Sequence, residues 1–165
     1  MTVFTLPKPA INHKIINWLD VTWHKTLVLW YVLKACRALL RRALVHDMSK
    51  YSRDEANYYE QYFFDLLNVP YGSKEYDELQ KRIRPAKLHH FQNNTHHPEH
   101  WQGGIKEMTP LDLVEMLCDW KAATMGHKDG NFDTSLVING DRYAMPDTLK
   151  NGLVANAKEI GLNND

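Results

Sequence analysis

Five of the nine histidines of this chain lie between His89 and His100. Imidazole nitrogens bind transition metals, transfer protons near neutral pH, or form hydrogen bonds inside a protein core. A solvated loop has little use for five imidazoles next to Trp101. We therefore interpret residues 89–100, the His-rich segment, as part of a metal site rather than as a surface loop.

The spacing inside the His-rich segment sets a condition on its structure. On one continuous helix, His90 and His97 would share a face but would lie about 10.5 Å apart along the axis. One ion with metal–nitrogen bonds of about 2.1 Å cannot bind both residues at that separation. Either the helix breaks near Asn93 and Asn94, or the two histidines serve two different ions.

Two further histidines are candidate ligands on other elements. His46 and Asp47 follow each other where a long helical pattern ends, so a nitrogen and a carboxylate could converge on one ion beyond the last turn. His24 lies earlier in that pattern on the same face as Leu27 and Tyr31, which predicts that its imidazole faces a core. A lone buried histidine usually bonds to a backbone carbonyl, but His24 is one of several candidates.

Asp119 is a candidate ligand of a different kind, because it sits among apolar residues of a later helix. A carboxylate buried there would need a partner or a metal ion. The alternative is that Asp112, Glu115 and Asp119 form the solvated acidic side of an amphipathic helix, since they are spaced at i, i+3 and i+7. The spacing alone favours neither interpretation.

Helical periodicity dominates the rest of the chain and predicts an all-α fold, a compact bundle of about five to seven helices. A first helix covers residues 15–45, either unbroken or interrupted near Cys36. A capping box, Ser52 to Glu55, begins the next helix, which ends near Asn68. Later helices are predicted over 73–84 with a continuation or restart after Pro85, over 110–126, and over 146–160. The turn pair Asn139-Gly140 predicts a small hairpin or a turn near residues 134–143.

Length and charge restrict the class of protein. A chain of 165 residues fits one domain, which we place over residues 1–165. Lys plus Arg and Asp plus Glu number 20 each, so no net field favours nucleic acid or an anionic membrane. The first twenty residues lack the pattern of a basic start and an apolar run that is typical of a secretory signal, and the apolar run from Leu27 to Leu33 is too short to span a bilayer. These features predict a cytoplasmic protein.

Taken in order, the candidate ligands resemble the pattern of the HD-domain superfamily, His…His-Asp…His…His…Asp on a helical bundle. The central motif of this chain, His46-Asp47-x-x-Lys50, has the His-Asp-x-x-Lys form of that superfamily. The segments around these residues also resemble an uncharacterised family of HD-like proteins common in phages and bacteria. The resemblance implies a metal held by His24, His46, Asp47 and Asp119, and a second set of ligands formed by His90 and one of His96 or His97, of which we assign His97.

The resemblance implies a metal-dependent phosphohydrolase that acts on a nucleotide or another small phosphoester. One or two divalent transition-metal ions (Mn, Fe, Co, Zn or Ni) would polarise the phosphate and activate water. We expect Asp47, Lys50 and His96 to be catalytic, with His96 protonating the leaving oxygen. Lys50, Arg53 and Lys87 are the candidate phosphate-binding residues.

Two other classes of function remain open at this point. Some HD-domain proteins with the full set of histidines bind two irons and act as oxygenases, and the sequence barely separates that reaction from hydrolysis. Alternatively, the chain is a non-catalytic interaction protein that a metal stabilises. The partner expected from the leading hypothesis is a small phosphorylated molecule rather than nucleic acid or a membrane. Trp18, Trp23 and Trp30 could cover a homodimer interface.

Overall fold

A computed structural model describes residues 13–69, 73–126 and 130–162, which contain seven α-helices and no strand. This confirms the prediction of an all-α fold, and seven helices is the upper end of the predicted range of about five to seven. The helices are α1 (His13–Val45), α2 (Arg53–Asn68), α3 (Lys74–Arg82), α4 (Arg84–Asn93), α5 (Pro110–Met125), α6 (Phe132–Arg142) and α7 (Asp147–Glu159). Among these helices, none is long and apolar enough to cross a membrane.

The first helix runs without interruption, so the single-helix alternative is correct. The chain divides into two units, Met1–Arg41 and Arg42–Asp165. The second unit contains the end of α1, helices α2 to α7 and a hydrophobic core built around α5, α6 and α7. That core consists of Ile105, Met108, Met116, Leu117, Trp120, Phe132, Leu136, Leu153 and Ala157. One domain over residues 1–165 stays a prediction.

The start of α5 follows its sequence signal closely. The side chain of Thr109 accepts a hydrogen bond from the backbone N–H of Asp112, and the Asp112 carboxylate accepts one from the backbone N–H of Thr109. Pro110 occupies the first helical turn, where its missing N–H costs nothing. This reciprocal cap fixes the beginning of the helix that carries Glu115 and Asp119.

The hairpin or turn predicted near residues 134–143 is wrong, because these residues belong to α6. The Asn131 side chain accepts a hydrogen bond from the backbone N–H of Thr134 and caps the helix. Phe132, Leu136 and Gly140 then recur at intervals of four residues on the buried face. A Cβ atom at Gly140 would lie 3.0 Å from Cε of Lys150, near the flexible end of a side chain on α7. Gly140 therefore lies on the face of α6 that is turned toward α7 rather than at a chain reversal.

Helix α4 ends at Asn93, within the His-rich segment, as one of the two sequence alternatives requires. Asn94 adopts an extended backbone conformation, and its side-chain N–H groups donate to the carbonyl of His90 and to the hydroxyl of Ser49, both at 2.7 Å. The indole N–H of Trp101 donates to the carbonyl of Thr95 at 2.9 Å. These bonds fold the chain after α4 back over the end of that helix.

Candidate metal centre

Two groups of side chains in the second unit bring potential metal-binding atoms together. Asp47, His90, His96 and His97 form the first group, and His46, His96 and Asp119 form the second group. Within each group, one ligand atom of every residue lies within 4.8 Å of the others. The ligands come from the turn after α1, from α4 and the chain that follows it, and from α5. We call these two groups together the His/Asp cluster.

Distances within the first group match the spacing of ligands around one ion. Nε2 of His90 lies 2.9 Å from Nε2 of His97 and 3.2 Å from Oδ1 of Asp47. Nε2 of His96 lies 3.4 Å from the same carboxylate oxygen. Ligands at bonds of about 2.1 Å in a tetrahedral arrangement are separated by about 3.4 Å. The four residues therefore fit a transition-metal ion.

Two polar atoms of the first group are left without a partner. Oδ1 of Asp47 and Nε2 of His96 are buried, and neither has a hydrogen bond within the described part of the chain. Buried polar atoms are nearly always paired, so an unpaired carboxylate oxygen and an unpaired ring nitrogen that face each other are the atoms expected at a metal-binding site. Asp47 also has a φ angle of 56°, a left-handed conformation that few side chains other than Asn and Asp adopt. Aspartate is therefore one of the few residues that suit this backbone position.

The second group lies on the other side of the Asp47 carboxylate. Nε2 of His46 is 3.5 Å from Oδ2 of Asp47 and 3.6 Å from Oδ1 of Asp119. Asp47 thus presents one oxygen to each group, and His96 belongs to both. The two groups together could hold one ion, with a choice of ligands, or two ions.

Two glutamates, Glu115 and Glu55, face the Nδ1 atoms of histidines in and beside the His/Asp cluster. Oε1 of Glu115 accepts a hydrogen bond from Nδ1 of His46 at 2.9 Å and lies 3.3 Å from Nδ1 of His96. Glu55, which is fully buried, accepts from Nδ1 of His89 at 2.7 Å and from Nδ1 of His90 at 2.9 Å. A proton held on Nδ1 leaves Nε2 free to bind a metal, and such carboxylate partners are common behind metal-binding histidines.

The sequence analysis missed the role of Glu55 because it interpreted this residue as part of a capping box. Ser52 is indeed the residue before α2, but its side chain makes no capping hydrogen bond with the residues that the structure describes. Glu55 instead points inward at the histidines. The feature that indicates a role for Glu55 is its complete burial, since it is 0% exposed. This burial is visible only in the structure.

Arg42 supports Glu115 from the end of α1. Its Nε donates to Oε2 of Glu115 at 2.6 Å, and its Nη2 donates to the Asp112 carboxylate and, at 2.9 Å, to the hydroxyl of Thr95. Asp112 is 2% exposed and Glu115 is 11% exposed. The interpretation of these two residues as a solvated acidic face is therefore wrong, since they face inward and serve the cluster.

The electrostatic environment of the cluster keeps Asp47 ionised and favours a positive charge beside the carboxylates. Burial would raise the pKa of Asp47, but the neighbouring His90, His96 and Lys50 outweigh it and lower the pKa well below its usual range. Burial lowers the pKa of His97 to about 3, so its imidazole is neutral near pH 7. The Asp119 carboxylate beside His46 is the main reason that the pKa of His46 rises to about 9. The carboxylates thus favour a positive charge at this point, which a divalent cation would also supply.

The three cations predicted to bind phosphate lie in different surroundings. Nζ of Lys50 donates to Oδ2 of Asp47 at 2.6 Å, and its side chain is 46% exposed, so it reaches from the cluster to solvent. Lys87 donates to Gln80 at 2.9 Å. Arg53 is exposed at the start of α2. Only Lys50 contacts a ligand among these three cations.

The structure differs from the sequence predictions at His24 and at His96. The prediction that the imidazole of His24 faces a core is wrong, because the residue is exposed. His24 belongs to neither ligand group among the described residues, and its role as a ligand stays a prediction that the metal content of His24→Ala would test. The structure places both His96 and His97 in the first group, whereas the sequence analysis assigned only His97 as a ligand. A proton-donor role for His96 also stays a prediction.

Comparison with known proteins gives a family but no activity. The chain belongs to DUF5662, a family of unknown function, whose model matches residues 17–160. No curated protein and no solved structure gives a significant match.

We expect Glu55→Gln to weaken metal binding by about 10–100-fold, because an amide presents only one oxygen where the carboxylate accepts from two histidines. Competition with a chromogenic chelator measures this affinity. Glu60→Gln is the matched control, since Glu60 is exposed on the same helix. Equal affinities in the two variants would show that Glu55 does not orient His90.

Proposed function

We propose that this chain is a metal-dependent hydrolase of a nucleotide or another small phosphoester. The observation that carries the proposal is the pair of buried, unpartnered atoms, Oδ1 of Asp47 and Nε2 of His96, 3.4 Å apart in a cluster of imidazoles and carboxylates. The likeness of the ligand order to the HD-domain superfamily supports the type of reaction.

Six residues would hold one or two divalent ions in this proposal: His46, Asp47, His90, His96, His97 and Asp119. Their mixture of imidazole and carboxylate donors suits Mn, Fe, Co, Zn or Ni better than Mg or Ca, which prefer oxygen ligands alone. A divalent ion bound there would act as a Lewis acid toward a phosphoryl oxygen and make hydroxide available near neutral pH.

Lys50 is the residue best placed to meet the phosphate. Burial would lower the pKa of Lys50, but its hydrogen bond to Asp47 and the charge of that carboxylate raise the pKa, so the ammonium stays charged near pH 7. The Asp47 carboxylate holds the ammonium in place while almost half of the side chain remains accessible. A phosphate oxygen that approached the cluster from solvent could therefore bind this cation directly.

The charges around the cluster explain why phosphate binding would depend on metal. Five carboxylates (Asp47, Glu55, Asp112, Glu115 and Asp119) and two permanent cations (Arg42 and Lys50) surround its imidazoles. Even with a positive charge on His46, this set is net negative and would repel a phosphate. One or two divalent ions would reverse that balance, so we expect substrate binding to depend on metal.

The proposed function is tested by assaying the protein after reconstitution with each of Mn, Fe, Co, Ni and Zn. Nucleoside mono-, di- and triphosphates and p-nitrophenyl phosphate are the substrates. We expect metal-dependent release of phosphate or pyrophosphate with at least one pair of ion and substrate. A protein that holds the metal but releases neither from any of these substrates would contradict the proposed reaction.

We expect Lys50→Met to lower kcat/KM for the active substrate by about 100-fold, because the variant lacks the charge that meets the phosphate. Its metal content should equal that of the wild type. Lys106→Met, at an exposed position away from the ligand groups, is the control and should keep full activity. If Lys50→Met is as active as the control, Lys50 has no part in phosphate binding.

A further inference from the structure

The first helix exposes an unusual amount of apolar surface. Between residues 15 and 33 of α1, thirteen large apolar side chains are each 36–75% exposed. They are Ile15, Ile16, Trp18, Leu19, Val21, Trp23, Leu27, Val28, Leu29, Trp30, Tyr31, Val32 and Leu33. We call this stretch, residues 15–33, the α1 apolar segment.

The exposed area is larger than a soluble monomer normally leaves open. Aromatic side chains carry about 150–250 Å² each, so the four exposed aromatics alone present roughly 500 Å². The largest apolar patch on a typical monomer is about 300–600 Å² in total. With the nine aliphatic residues added, the segment reaches the roughly 800 Å² per partner that a stable protein interface buries.

Apolar residues occupy every side of the segment rather than one face. Successive residues of a helix are rotated by about 100°, so the five consecutive residues from Val28 to Val32 surround the helix. Two copies can therefore bury apolar side chains against each other whichever sides of the two helices meet.

Charge indicates how two such helices would pair. Residues 13–45 contain six basic residues and one acidic residue, and four of the basic residues lie after position 33. Side by side in parallel, two copies would bring these basic ends together. An antiparallel pair overlaps the apolar segments and places the basic ends at opposite ends of the pair, where the helix dipoles also attract each other.

We propose that the α1 apolar segment is an interface with a second copy of this chain, formed by two antiparallel α1 helices. Residues 15–33 of each copy overlap along about 28 Å, given a rise of about 1.5 Å per residue. This interface is independent of the proposed function, since none of its residues belongs to the ligand groups.

Sedimentation velocity of the purified full chain between about 1 and 100 µM tests the interface. We expect the wild type to sediment with twice its chain mass of 19.3 kDa. Trp18→Glu and Leu29→Glu should each weaken the dimer by at least about 100-fold, because each would bury an unpaired charge. Ile138→Glu is the control, since Ile138 is 57% exposed on α6 and Leu29 is 58% exposed. This control should remain a dimer.

The native thiol of Cys36 tests the antiparallel arrangement. Cys36 is exposed and lies beyond the segment on the basic side. In a Cys118→Ser background, mild oxidation should leave Cys36 uncrosslinked, because the two copies of this residue would be about 35 Å apart in an antiparallel pair centred on residue 24. Adding Lys25→Cys, near the centre of the segment, should produce a crosslinked dimer.

Three results would overturn the proposal. One is a wild type that stays monomeric to 100 µM, whether or not it binds vesicles of phosphatidylglycerol and phosphatidylcholine. Vesicle binding by such a monomer would indicate a membrane surface as the occupant. The second is a dimer that neither glutamate variant weakens, with helix content checked by circular dichroism. The third, a disulfide through Cys36, would exclude the antiparallel pair.

Discussion

Replacing Asp47 by asparagine should lower kcat/KM for phosphoester hydrolysis by at least about a thousandfold, equivalent to about 4 kcal/mol of transition-state stabilisation. Asp47 is the one ligand that presents an oxygen to both groups, and its Oδ1 is buried without a partner among the described residues. Asparagine keeps the size of the side chain but removes the charge that an ion requires. Metal content should fall together with activity.

Asparagine is the informative substitution because of the backbone at this position. The φ angle of Asp47 is 56°, and asparagine is among the few residues that adopt this left-handed conformation readily. The variant therefore tests the carboxylate without straining the turn. Asp147→Asn, at an exposed position in the first turn of α7, is the control and should retain activity. Full activity in Asp47→Asn would remove the basis of the proposed function.

The second large effect concerns stability rather than catalysis. Arg42→Met should lower the free energy of unfolding of the metal-free protein by about 2–4 kcal/mol, because it leaves two carboxylates without their cation. Those carboxylates, Asp112 and Glu115, are 2% and 11% exposed. We place the cost slightly below that of a fully buried pair because the side chain of Arg42 is itself 27% exposed.

Urea unfolding in the presence of a chelator measures this cost without a contribution from bound metal. Arg41→Met is the matched control, since Arg41 is the preceding residue on the same helix and is exposed. The control should change stability by less than about 0.5 kcal/mol. A similar loss in both variants would mean that the network of Arg42, Asp112 and Glu115 does not stabilise the fold.

Local signals in the sequence predicted most of the helices. The Thr109-Pro110 start of α5 is encoded in a few adjacent residues and is confirmed. The end of α4 at Asn93 matches one of the two alternatives that the ligand spacing left open. The pair Asn139-Gly140 misled because its preference for a turn is also local. Gly140 instead lies on the buried face of α6, close to Lys150, which is ten residues further along the chain.

The cluster could be predicted only in part. His46 and Asp47 were candidates because of their position at a helix end, and Asp119 was assigned through the resemblance to the HD-domain pattern. The structure brings these residues together with the His-rich segment. The supporting glutamates could not be found this way, because Glu55 lies 34 residues from His89, and Glu115 lies 69 residues from His46. Contacts at such separations depend on packing between helices, which a single sequence does not reveal.

Our central claim is that the His/Asp cluster binds metal, and elemental analysis of the native protein tests it most directly. Wild type purified without chelator, His96→Ala and His100→Ala would be analysed by inductively coupled plasma mass spectrometry. His100 is the matched control because it lies in the same His-rich segment but donates to the carbonyl of Phe91 and belongs to neither ligand group. We predict one or two transition-metal ions per chain in the wild type and in His100→Ala, and about a tenth of that or less in folded His96→Ala. A wild type that holds no metal, even after reconstitution with each of the five candidate ions, would contradict the claim.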